Sequence, residues 1–151
     1  MIMDTNIREV NSIEEFTLFS IDRSAAGIDT LLKDAENCSS LITQDNQKET
    51  LNRLSRLTQN LHDFSIFQHD VCSLFEIDNT KIKYGRSSLA AIEQKFRTSL
   101  TNLGAKVENR DLGGIQTVLI KELTPALKKM KSVMPVLRNY IDETYLQEER
   151  S

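Results

Sequence analysis

Leu54, Leu57, Leu61, Phe64, Gln68, Val71 and Phe75 step by alternating threes and fours, a strict heptad. Only an α-helix turns that spacing into one continuous seam, so this stretch must be helical and must bury one side. Leu51, Phe67 and Leu74 flank the seam and make the apolar face broader than a two-stranded coil uses. A face that wide needs two neighbouring helices to cover it, which is the geometry of a bundle. Gln68 is the one polar residue on the seam. The spacing places this helix at 46–77, with Asp78-Asn79 ending it.

The rest of the 151 residues supplies the neighbours. Ser12-Ile13-Glu14-Glu15 has capping-box spacing, and Ile13, Phe16, Phe19, Ala26, Leu31 and Ala35 follow at helical intervals, widened by Ile28 and Leu32. These predict a first helix over 12–37. Gly27 inside it costs ~1 kcal/mol relative to alanine and is read as marking close packing or a bend. The polar stretch 37–46 is the connection. Ser87 or Ser88 caps a third helix over 87–108, whose stripe is Leu89, Ile92, Phe96, Leu100, Leu103 and Val107. Asp111 is an N-cap for a fourth helix over 111–146, with a stripe from Leu112 through Ile115, Leu119, Leu123, Ala126, Met130, Met134 and Leu137 to Ile141. Pro125 and Pro135 interrupt its hydrogen bonding but not its apolar rhythm, which predicts a bend or break near Pro125, with Thr124 capping the second segment. The expected fold is all-α, one domain over 1–151, an antiparallel four-helix bundle with its last helix bent at Pro125.

Composition closes off other classes. Hydrophobic residues make up 39% and charged ones 27%, too apolar for a disordered polymer. Five glycines and two prolines do not supply a turn-rich sandwich. The longest apolar runs resemble Leu89-Ala90-Ala91-Ile92, far short of the ~18 residues of a membrane span. Met1-Ile-Met-Asp-Thr-Asn has neither a basic nor an apolar leader region, and Cys38 and Cys72 are too few for a disulfide scaffold. The expectation is a cytoplasmic protein without membrane or nucleic-acid partners, the net charge being −3. Residues 1–45 carry three basic and nine acidic side chains, whereas 86–151 carry eleven and eight. Opposite signs favour the first and last segments lying side by side.

Chemistry-bearing residues are sparse. In the heptad frame His62, His69 and Cys72 share one outward strip, but a structural zinc site wants four ligands and no second pair exists. No metal and no cofactor are expected. The His-x-x-Lys-Gly pattern of phosphotransfer bundles is absent, since Ser65-Ile66 and Cys72-Ser73 stand in those places. Neither histidine has a glutamate three residues before it, as a di-iron bundle requires. Asp111-Leu112-Gly113-Gly114 opens a helix with no preceding strand and reads as a packing or turn feature. The chain is not expected to be an enzyme. Lys121, Lys128, Lys129 and Lys131 read first as a solvated face beside the acidic first helix, and second as a surface for an acidic protein segment. Glu122 lies beside the apolar stripe and next to the break at Pro125, where its carboxylate can bond freed backbone groups.

Asn109-Arg110-Asp111-Leu112, Leu119 and Glu122-Leu123-Thr124-Pro125-Ala126-Leu127 resemble a stretch found in a family of uncharacterised bacterial helical-bundle proteins, whose last helix carries Glu-Leu-x-Pro-x-Leu. Ile120-Lys121 departs from that family, which usually has another acidic or aromatic residue there. The resemblance implies a helical bundle from a bacterial cytoplasm and transfers no site. The function expected is a non-enzymatic protein–protein interaction module, with a secretion or flagellar export chaperone as the alternative. Glu122 and Pro125 are candidate partner-binding residues at the break. Phe67 and Leu74, seven apart on one flank of the seam, are candidates for covering by a second subunit in a homodimer.

Overall fold

The computed structural model describes the backbone of residues 2–44 and 47–146, and side chains over 15–42, 44 and 47–144. Helix α1 runs Ile2–Thr43 and α2 runs Gln47–Leu74. A connector then carries two short strands, β1 (Lys83–Tyr84) and β2 (Ser87–Ser88), before α3 (Leu89–Glu108). The last long element is α4 (Leu112–Val118), a π-helical turn over Leu119–Leu123, α5 (Thr124–Ile141) and a second π-helical turn over Asp142–Leu146. Packed neighbours run around a square, α1 on α2, α2 on α3, α3 on α5 and α5 on α1. Asp22 pairs with Arg138 and Asp29 with Lys131, so α1 and α5 are antiparallel. The fold is an all-α helical bundle.

The α2 seam is buried along its whole length, Gln68 included. The stripes expected on the third and fourth helices face the same core, with Leu100, Val107 and Leu112 partly buried at its margin. Phe64 meets Phe96 edge to face across α2 and α3, their ring centroids 6.0 Å apart, an arrangement that the ring quadrupoles favour.

The first helix departs from expectation. It starts ten residues before Ser12, so Ser12 begins nothing; its side chain lies outside the described residues, as do those of Ile13 and Glu14. The buried face of α1 is Leu18, Ile21, Ile28, Leu31, Ala35 and Cys38, while Phe16 and Phe19 are 68% and 56% exposed and Ala26 is exposed as well. Ile28, Leu31 and Ala35 are buried as expected; in the first half two phenylalanines drew the expected stripe toward themselves, whereas Leu18 and Ile21 are the residues that pack. A Cβ at Gly27 would meet nothing within 4 Å, so that glycine marks no close packing.

The connector is structured where the sequence suggested only a link. Gly85 at φ +63° followed by Arg86 gives the turn of a two-residue hairpin, pairing Lys83 with Ser88 and Tyr84 with Ser87. Phe75, Ile77 and Ile82 are buried beneath it. Ser88 caps α3 by accepting the Ala91 N–H at 3.1 Å, and Asp111 caps α4 by accepting that of Gly114 at 2.9 Å, both as expected.

The last helix breaks its α register in the turn before Pro125. The Leu119 carbonyl accepts the Thr124 N–H five residues on and also the Thr124 hydroxyl, at 2.7 Å. Thr124 therefore donates backwards to close the π turn and caps nothing, contrary to expectation; the residue at the N-cap of α5 is Leu123, without a side-chain cap bond. Pro125 falls in the first turn of α5, where a missing N–H costs least. Pro135 lies inside α5, which continues through it.

Candidate functional site

The four candidate partner-binding residues fall into two grooves lined by different helices. Glu122 and Pro125 line a groove of about 360 Å³ between α3 and the last helix. Phe67 and Leu74 line another of about 370 Å³ between α1 and α2. The structure joins each pair and keeps the two pairs apart.

In the α3 groove, the 121–125–129 spacing sets Lys121, Pro125 and Lys129 on one bank, while α3 contributes Ile92, Lys95 and Ser99 opposite. Helical geometry explains the alignment, because residues four apart stack on one face. Glu122 accepts a hydrogen bond from the Asn102 amide at 2.8 Å. Its carboxylate thus ties the π turn to α3, a side-chain partner in place of the freed backbone groups expected. Proline cannot donate, so in either register a carbonyl in the Ile120-Lys121 turn lacks its usual helical donor. Both residues are exposed, which places that turn at the water-facing edge.

The lysines of the last helix divide by direction. Lys131 bonds Asp29 at 2.6 Å and Arg138 bonds Asp22 at 2.8 Å, so part of the positive charge lies against acidic α1, in line with the charge asymmetry of the sequence. Lys121 and Lys129 face the α3 groove and, with Lys95, form no ion pair among the described residues.

The α1–α2 groove is apolar. Phe16, Phe67, Val71 and Leu74 line it with Thr17, Ser20 and Asp70, and Leu74 is 63% exposed. Phe19 stands nearby on α1 with the Arg23 guanidinium 5.7 Å above its ring. Phe16 is a lining residue that periodicity assigned to the core. The signal that it faces outward is that Leu18 and Ile21, not Phe16 and Phe19, continue the buried stripe of Ile28, Leu31 and Ala35 toward the N-terminus.

At the connector end of the bundle Gln68, the polar residue marked on the seam, lies in a buried polar cluster whose other member, Glu93, escaped sequence reading. Glu93 on α3 is buried and accepts the Asn79 side-chain N–H at 3.0 Å, with the Arg97 guanidinium 3.9 Å away. Its Oε1 is buried beside the Gln68 side-chain amide, both of whose polar atoms are buried too. Burial raises the Glu93 carboxyl above the ordinary glutamate range, against the opposing pull of Asn79, Arg97, Gln68 and His69. Cys72 points into the core beside this cluster, not along the outward strip of His62 and His69 that the heptad frame assigned to it. Burial, and then the Glu93 charge, push its thiol up to about 11; burial and Asp34 do the same for Cys38. Both are free thiols. Among the described residues no three His, Cys, Asp or Glu side chains gather closely enough to hold a metal ion.

No curated protein matches the chain, and no solved structure does. A family profile described as a domain of unknown function, DUF8042, matches residues 20–133, a span that includes Phe67, Leu74, Glu122 and Pro125. That match covers most of the chain, which therefore belongs to the DUF8042 family.

Proposed function

We propose that this chain is a non-enzymatic protein–protein interaction module of a bacterial cytoplasm, and that a second copy covers its α1–α2 face. The observation that supports this reading is the apolar groove of exposed Phe16 and Leu74 and half-buried Phe67, with exposed Phe19 beside it. Large side chains left in water forgo ~1.5–3 kcal/mol each of burial free energy, and neighbouring ones mark a surface that is covered in use. Phe67 and Leu74 stand on one flank of α2, so a two-fold pairing of this face brings like residues together in a self-complementary contact. No helix among the described residues is long and apolar enough to cross a membrane, so the apolar groove is not part of a helical span.

Light scattering over a concentration series tests the pairing. The expected result is a dimer mass for the wild-type chain and a monomer mass for Phe67→Asp with Leu74→Asp, the helical circular dichroism being unchanged. A wild-type chain that stays monomeric at the highest concentration refutes the homodimer. The export-chaperone reading draws on the same open groove, which has room for apolar residues of an unfolded client. It is favoured instead if the monomer suppresses aggregation of an unfolded test protein and the double variant does not.

A further inference from the structure

We propose that the groove between α3 and the last helix docks an acidic amphipathic helix from a partner protein, an inference that rests on the interaction-module reading. Charge complementarity carries it. Lys95 stands on the α3 bank, and Lys121 and Lys129 stand on the other, eight residues or ~12 Å apart along the helix axis. None of the three is in an ion pair among the described residues, although Lys131 and Arg138 of the same helix are paired with α1. The one carboxylate in the lining, Glu122, is held by Asn102 across the groove at 2.8 Å. The positive rim is therefore left for something outside the chain.

Between the lysines the floor is Ile92 and Ala126, with Pro125 on the bank above them, and Gln94, Thr98 and Ser99 add hydroxyl and amide groups. An apolar floor between two helices with a charged rim suits helix-in-groove recognition, in which side chains at i, i+3, i+4 and i+7 fill the floor. Flanking Glu and Asp on such a helix would then meet Lys95, Lys121 and Lys129. Nucleic acid fits less well, because no aromatic side chain lines the groove to stack a base. The π turn also lies at this groove: Lys121 and Glu122 belong to it, and Pro125 follows the Thr124 that closes it. π-helical turns inside α-helices frequently occur at functional sites.

The test uses the full chain and three fluorescent probes. One is a helical peptide with leucines at i, i+3, i+4 and i+7 flanked by glutamates, the second is its glutamine-for-glutamate counterpart, and the third is a thymidine oligonucleotide. Anisotropy reads affinity, and backbone amide shifts locate the contact. The expected result is that the acidic peptide binds at least about tenfold tighter than the glutamine peptide at low salt. That advantage shrinks as salt is raised, and the shifts fall on residues 92–99 and 121–129. Lys95→Glu with Lys121→Glu and Lys129→Glu abolishes the advantage, while the control Lys33→Glu with Lys48→Glu and Lys83→Glu keeps it. Equal binding of both peptides in the groove overturns the acidic specificity and leaves the docking reading in place. Shifts confined to the α1–α2 face, or no shifts at all, overturn the groove as a docking site. Tighter seating of the oligonucleotide there overturns the protein partner.

Discussion

Glu76 and Arg110 end helices in the left-handed conformation that side chains resist, at φ 50° and 52°. Each sits at the close of a Schellman motif: Ile77 N–H bonds the Cys72 carbonyl at 2.9 Å, and Asp111 N–H bonds that of Lys106 at 3.0 Å. Glu76→Gly and Arg110→Gly should therefore each stabilise the protein by ~0.5–1 kcal/mol in urea denaturation. Gly114→Ala should do the opposite, because its Cβ would meet the Asp111 carboxyl and the Lys106 side chain. The end of α3 was legible at residue 108 and that of α2 to within three residues, since it falls at Leu74 and not at 77; the left-handed form of each ending was not, because its usual sequence cue is glycine and neither position has one. The Asp111 cap was legible, because a short acceptor side chain before an apolar periodic run has few other uses. Glu93 was invisible for a different reason: a glutamate on a helix reads as solvated, and only the folded connector reveals that it is covered. Its raised pKa sets the sign of a pH effect. Stability from Glu93 is present while the carboxyl is protonated in both states, and is lost as pH rises through the folded value. Glu93→Gln should flatten the stability–pH curve just above the ordinary glutamate range; an unchanged slope would remove Glu93 from the pH response. The two buried thiols, at about 11, should react slowly with a thiol reagent in the native protein and rapidly in denaturant.

Among the elements, α2 was the most legible because seven residues in strict 3–4 spacing leave one solution for which side is buried. Leu61→Ala and Phe64→Ala should each cost ~2–5 kcal/mol, since both side chains lie in a close-packed core. Losses below ~0.5 kcal/mol would remove that face from the core. Helix α1 was legible as a helix and in phase over Ile28, Leu31 and Ala35, but misread before them, where the large Phe16 and Phe19 were preferred to Leu18 and Ile21. What the pattern cannot express is that two neighbours must fit against α1 closely, which favours residues of modest size. Gly27 in α1 and Gly104 in α3 have open space where a Cβ would go, so Gly27→Ala and Gly104→Ala should each stabilise by ~0.5–1 kcal/mol. The break before Pro125 was legible from the proline. Its form was not, because a π turn depends on how Leu119, Leu123 and Ala126 are all kept facing the core. Pro125→Ala supplies a backbone donor to that turn; circular dichroism should show a folded bundle, and the acidic-peptide affinity should fall if the α register is restored across Lys121 and Glu122.

For the whole molecule, periodicity and charge together gave the layout: four helices around one core, with the acidic first segment against the basic last one through Asp22–Arg138 and Asp29–Lys131. These are exposed pairs worth ~0–1 kcal/mol, so they orient more than they stabilise. The two grooves were only half legible. Their residues were named from the seam flank and the proline, but their banks come from other helices and exist only once the square of helices closes. Both grooves are proposed to serve recognition. Capture from the source cell with mass spectrometry tests that most directly, comparing wild type with Phe67→Asp/Leu74→Asp and with Lys95→Glu/Lys121→Glu/Lys129→Glu, all shown to be folded. The predicted result is that a second copy of the chain disappears from the first variant alone and an acidic partner protein from the second alone. Identical capture by all three proteins would contradict it.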